Sequence, residues 1–173
     1  MALTHRMLLA LLLSTASLAR AEPLAQTASP SMLAIIVHHS NPVDNLTLSE
    51  LRRIFMLDTQ TWPHGRKITV VLREKGQRER VDAIRIICRL SAEDYERHIL
   101  FRTFQGSVNI GPRSILSASA MLRFVYSAPG AIGAIAADQV DASVKVVSVD
   151  GALPGDPRYP LRSAPRSAAD DRR

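Results

Sequence analysis

The chain has 173 residues, 22 lysines and arginines against 16 acids, and a formal charge of +6. Its one cysteine, Cys88, excludes an intrachain disulfide and a cysteine-built metal cluster. The basic residues are scattered, with four in the last twelve positions, which is the pattern of a solvated surface and not of a nucleic-acid interface.

The N-terminus reads as a targeting segment. His5 and Arg6 precede the apolar run "MLLALLL", and "ARA" places Ala19 and Ala21 where signal peptidase requires small residues. The run is too short to span a bilayer, so residues 1–21 are expected to be a signal peptide cleaved before Glu22. Cleavage leaves 152 residues with a balance of +4, enough for one domain in an exported, periplasmic or secreted, protein. The residue directly after the cleavage site is Glu22 and not a cysteine that would carry a lipid anchor.

Residues 22–31, "EPLAQTASPS", read as a polar linker. "MLAIIV" is a short apolar run suited to a strand buried on both faces. "HHSNPVDN" is a loop, because the residue before proline is pushed away from helix. In "LTLSELRRIF" Thr47 and Glu50 have capping-box spacing, Leu46 is placed to staple onto Leu51, and Leu48, Leu51, Ile54 and Phe55 mark an apolar face. "TWPHGRK" is a turn and "ITVVL" a second strand. A helix beginning near Gln77 is expected to turn Val81, Ile84, Ile87 and Cys88 inward. Ser91 and Asp94 recap the chain into a further helix.

"GSVNIGPRS" reads as an irregular crossing segment. "SASAMLRFVYS" is a helix with Ala118, Met121, Leu122 and Val125 on one side, stopped by "APG". "AIGAI" and "VKVVSV" are two more strands. Strands alternating with helices predict an α/β three-layer sandwich, a mixed sheet flanked by helices, over residues 32–150. The stretch 151–173 holds four prolines and few aliphatic residues, and is expected to be a disordered tail that can be removed without loss.

Few residues suggest chemistry. His38 and His39 are neighbours whose side chains diverge on a strand end, which does not suit one metal ion. Asp94 and His98 have the spacing of a surface pair on a helix. Ser114 and Ser117 to Ser119 fit turn and cap positions, and Cys88 fits a buried small hydrophobe. No nucleotide loop or paired nucleophile and base appears, so neither an enzyme nor a cofactor is expected.

The stretch "VVLREKGQRER" is different: a strand runs through Arg73 and Gly76 into a helix, a layout that offers N–H donors and positive charge to an anion. Arg73 and Arg78 are placed to add charge-assisted hydrogen bonds, and Gly76 to let the backbone approach closely. Glu79 opposes an anion there, and Arg73 has a local alternative in Glu74 or Glu79.

The segment from Ser40 to Glu74, with Leu48, Leu51, Ile54, Phe55, Trp62 and Gly65, and the turn Pro129 to Gly133 resemble the phosphate-binding branch of the periplasmic substrate-binding proteins of ABC importers. The resemblance runs from about Leu33 to Asp150 and matches the second of that family's two lobes. It implies a periplasmic-binding-protein-like single lobe that takes phosphate or a related oxyanion, with Arg73 and Gly76 matching the family's anion loop; with the charge and helix start beside them, the candidate anion contacts are Arg73, Gly76, Gln77 and Arg78. A solute-binding lobe of this kind is suited to pair with a second copy as a homodimer, and an interaction module to act with an envelope transporter or sensor. The family's loop runs approximately R-x-D-G-S-G-T; here Lys75 replaces the acid, and Gln77 and Glu79 replace the two hydroxyl residues. Two readings therefore stand, a solute-binding lobe and an interaction module that has lost its anion.

Overall fold

The structure is a computed structural model that describes residues 32–163 apart from Asn109. The expected signal peptide, the 22–31 linker and residues 164–173 lie outside the described residues. In chain order the elements are β1 (Leu33–Val37), β2 (Asn45–Leu46), α1 (Leu48–Phe55), β3 (Thr69–Arg73), α2 (Arg78–Ala83), α3 (Ala92–Phe104), β4 (Arg113–Ile115), α4 (Ala118–Ser127), β5 (Ala131–Ala136) and β6 (Lys145–Val149).

The strands form one six-stranded mixed sheet in the order β2-β6-β1-β5-β3-β4. β1 runs antiparallel to both its neighbours, β5 and β6. β3 is parallel to β5 and β4, and β2 is parallel to β6. Alternate side chains then divide between two cores, as the two-residue period of a strand requires. Leu33, Ile35, Val37, Val70, Leu72, Ile132 and Ala134 pack with Leu51, Ile54, Phe55 and Tyr95 from α1 and α3. Ala34, Ile36, Val71, Ala131 and Ile135 pack with Met121, Leu122 and Val125 from α4. The expected three-layer sandwich is the observed one.

Local chemistry explains the helix ends. Thr47 accepts from the Glu50 N–H at 3.1 Å while Glu50 accepts from the Thr47 N–H at 2.8 Å, closing the capping box. The second bond also holds the Glu50 carboxyl below the ordinary range. Ser91 and Ser117 cap α3 and α4 by accepting from the N–H groups of Asp94 and Ala120. α2 runs directly into a π-helical turn, Ile84–Cys88, which ends at Arg89 with a left-handed φ of 56° and lets α3 leave at a new angle. Burial pushes the Cys88 thiol up to about 12, which fits an inert core residue. Ile84, Ile87 and Cys88 face inward as expected, but Val81 is 39% exposed, and Arg80, Asp82 and Ala83 are buried in the same stretch. Ion pairs, invisible to an apolar pattern, set that rotation. Two short strands, β2 and β4, lie in segments read as irregular, because each is an edge strand of two or three residues.

Trp62 is 2% exposed and donates its indole N–H to the Gly130 carbonyl at 3.1 Å. That carbonyl also accepts from the Thr69 N–H at 3.0 Å. A Cβ on Gly130 would stand 2.2 Å from the Lys67 carbonyl oxygen, so only glycine fits the turn. The "PGAIG" stretch therefore locks the start of β5 against β3.

The expected disordered tail is corrected for residues 151–163. β6 pairs with β1 only from Ile35 to Val37, which leaves the first residues of β1 without a strand on that side. The returning chain fills the place: Leu33 N–H donates to the Leu161 carbonyl at 3.0 Å, and the Tyr159 hydroxyl donates to the Leu33 carbonyl at 2.7 Å. Tyr159 is 2% exposed and Leu161 fully buried, and Ser163 donates to the buried Asp82 at 2.6 Å. Composition counts apolar residues, whereas this segment is ordered by where Ala152, Tyr159 and Leu161 fall.

Two outcomes follow for stability. Trp62→Ala should cost roughly 3–5 kcal/mol, as for other buried aromatics; an unchanged denaturation midpoint would place the indole outside the core. Truncation after Asp150 should lower the melting temperature well beyond a couple of degrees, and Tyr159→Phe should cost about 1 kcal/mol for the lost hydrogen bond. A truncated chain that melts with the full-length protein would show that the segment does not pack.

Candidate functional site

β3 ends at Arg73, and the chain turns at once. The Gln77 N–H donates to the Glu74 carbonyl at 3.1 Å, and Gly76, third of these four residues, has φ of 82°. A four-residue turn with a positive φ only at its third position is type II, which favours glycine there. Gly76 is thus needed for the turn itself, and open space surrounds its Cα.

Arg73 is 8% exposed, and its Nε and Nη1 are buried without a hydrogen-bond partner. The nearest carboxylate is that of Glu79, at 3.9 Å from Nε, which is an ion pair but too long for a hydrogen bond. The other cations of the loop are differently placed. Lys75 reaches Glu96 at 3.0 Å, Arg78 reaches Asp82 at 3.3 Å, and Arg80 reaches Glu96 at 2.6 Å. Of the four, Arg73 alone faces its acid without bonding to it.

The other expected anion contacts are distributed differently. Gln77 is the N-cap of α2, but its side chain makes no capping bond, and its N–H is used by the turn. Arg78 turns away to Asp82 and Ser163. The structure therefore brings Arg73 and Gly76 together with Glu79, and directs the Arg78 guanidinium to the returning tail.

Arg80 is the residue that the sequence did not single out. It is 5% exposed, and its guanidinium donates to the Arg73 carbonyl at 3.0 Å, to Ser114 Oγ at 3.3 Å and to Glu96 at 2.6 Å. One cation thereby joins the ends of β3 and β4 to α3. Partial burial raises the Glu96 carboxyl, but hydrogen bonds from Lys75 and Arg80 outweigh it and hold the group below the ordinary range. The only signal in the sequence was an arginine two places after the helix start, which resembles any surface arginine.

The remaining candidates are structural. His39 donates to the Ala142 carbonyl at 3.0 Å, and His38 accepts from the Ser40 N–H at 2.9 Å, so the two histidines serve separate partners. Asp94 bonds to Ser91 and Arg97 while His98 meets the Met56 carbonyl, so the expected Asp94–His98 pair is not formed. Among the described residues no cluster of three metal-ligating side chains occurs, and no helix is long and apolar enough to cross a membrane. Concavities of about 270 Å³ beside Trp62 and about 250 Å³ beside Tyr126 are lined by residues outside the Arg73 loop.

No protein-family model matches the chain, and no curated protein matches it. Solved structures do. An ABC-type phosphate transport receptor from Vibrio cholerae is 26% identical, with a TM-score of 0.62 over 80% of this chain and 56% of that one. A candidate phosphate ABC transporter substrate-binding protein from Clostridium perfringens, solved with bound phosphate, is 26% identical with a TM-score of 0.60 over 72% of this chain and 47% of that one. PstS from Borrelia burgdorferi shares the fold at 14% identity, with a TM-score of 0.62 over 79% of this chain and 56% of that one. The chain spans about half the length of these structures. Its mixed sheet and helices are those of a single lobe resembling the periplasmic-binding-protein-like phosphate receptors of ABC transporters.

Proposed function

We propose that this chain is an exported solute-binding lobe that takes phosphate or a related oxyanion at Arg73, and serves an ABC-type transporter in the cell envelope. The observation that carries the reading is the buried guanidinium of Arg73, with Nε and Nη1 lacking hydrogen-bond partners at the end of a sheet strand. A buried N–H without a partner costs about 1–3 kcal/mol, and more on a charged group, and a bound oxyanion would satisfy both donors of Arg73. Ligands of open α/β sheets gather at the carboxyl ends of strands, where β3 delivers Arg73. An oxyanion offers several acceptor oxygens to the planar guanidinium and gains charge-assisted bonds.

The phosphate receptors that share the fold support the choice of ligand. They are binding proteins and not enzymes by name, which supports a role without catalysis. The leader-like N-terminus supports export, and a second copy of this lobe in a homodimer would cover the ligand.

A second reading has its own observation. Gln77 caps α2 without a side-chain bond, and Arg78 is engaged with Asp82 and Ser163, so two of the four expected anion contacts point elsewhere. An envelope interaction module that has kept the lobe and lost its anion would look like this. Calorimetry with phosphate, sulfate and chloride at matched ionic strength separates the two. A working site should bind phosphate with Kd tighter than about 10 μM, roughly −7 kcal/mol. Arg73→Ala should then weaken binding by about 1.5–3 kcal/mol, the value of hydrogen bonds to a charged group. Binding weaker than millimolar in the wild type would favour the interaction module. Gln77→Ser should stabilise the fold by about 0.5–2 kcal/mol through the missing N-cap bond, and an unchanged midpoint would show that the cap is already satisfied.

A further inference from the structure

The loop treats its cations unequally. Lys75, Arg78 and Arg80 are each bonded to an acid at 3.0, 3.3 and 2.6 Å. Arg73 is held by Glu79 at 3.9 Å, close enough to balance charge and too far to use the N–H groups. Both side chains are largely shielded, 9% exposed for Arg73 and 18% for Glu79, so solvent screens their attraction only weakly. Charge and hydrogen bonding are separated at this pair: the first is met and the second is held open.

We infer that Glu79 is a resident counter-ion that occupies the anion's place beside Arg73 when the site is empty, and must be displaced for an anion to bind. The inference rests on the oxyanion reading given above, and adds the residue that sets its affinity. The physical reason is competition. Without a neighbouring negative charge, the Arg73 guanidinium would be buried and uncompensated, which proteins avoid by pairing. With Glu79 hydrogen-bonded to it, the donors would be spent, as they are on Arg80. At 3.9 Å the carboxylate does the first without the second.

An arriving oxyanion gains the two free donors but also meets the Glu79 charge, and the like-charge contact weakens binding unless the carboxylate swings away. Glu79 lies in the first turn of α2, and its side chain has its own rotatable stem. Glu79 then sets how tightly an anion is held beside Arg73, and is not a sign of a dead site.

The test compares wild type, Glu79→Gln, Glu79→Asp and Arg73→Ala in the full chain, with inorganic phosphate as ligand, sulfate as a second oxyanion and chloride as control. Isothermal calorimetry reads affinity, and thermal melts without anion read the empty state. Glu79→Gln should bind phosphate about tenfold tighter than wild type while its anion-free melting temperature falls, because one change removes both the competitor and the counter-ion. Glu79→Asp, which shortens the stem and keeps the charge, should fall between the two, and supplies the comparison if the glutamine variant does not fold. Glu79→Gln or Glu79→Asp binding phosphate no tighter than wild type, while Arg73→Ala abolishes binding, would overturn the counter-ion role and leave the oxyanion site standing. No phosphate response in any of the four proteins would overturn both.

Discussion

The buried guanidinium of Arg80 is the constraint around which the candidate site is built. It is bonded at once to the end of β3, to β4 and to α3. The energetic logic is that of a buried charge, which is costly unless its donors find acceptors in good geometry. Here a main-chain carbonyl, a hydroxyl and a carboxylate supply them. The edge strand β4 has only three residues to hold it to β3, so the Ser114 contact adds a tie where the ladder is short. With Arg80 fixed, the Arg73 backbone is fixed, and the neighbouring Arg73 side chain can be held in an unsatisfied state without the loop collapsing to relieve it.

The contrast between the two arginines carries the functional argument. They differ by seven positions and by little in burial, yet one spends its donors on the protein and the other does not. A structural arginine and a binding arginine are distinguished by what remains unbonded, and not by charge or location alone. The same distinction applies to Arg78, which the returning tail and Asp82 absorb into the fold.

Much of the architecture was legible in the sequence because it rests on local rules. The capping box at Thr47 and Glu50, the fully apolar β1 and the stop at Pro129 and Gly130 each follow from a few adjacent residues. The parts that were not legible depend on contacts distant in the chain. Arg80 meets Glu96 sixteen residues on and Ser114 thirty-four residues on, and neither spacing leaves a periodic mark. Asp82 is buried because Ser163 arrives from 81 positions away, so the apolar pattern of α2 misplaced Val81. Within the site, Arg73 and the Gly76 turn were readable from the loop; the distance that leaves Arg73 unbonded beside Glu79 was not, because it is a matter of ångströms.

The return of the chain to β1 also has a mechanical side. Met32 and Arg162 form an antiparallel bridge, so the described segment enters and leaves at one corner, with its two strands running in opposite directions. Tension drawing those two points apart acts across the bridge and meets its hydrogen bonds one at a time, as in opening a zipper, instead of shearing several together. The Ser163–Asp82 contact lies outside the bridge and takes the pull first, and the Tyr159 hydroxyl is the catch behind it. Force on this corner would free the returning strand while the sheet stays whole, and because Ser163 bonds to Asp82 in α2, the same pull would be felt on the helix that carries Glu79.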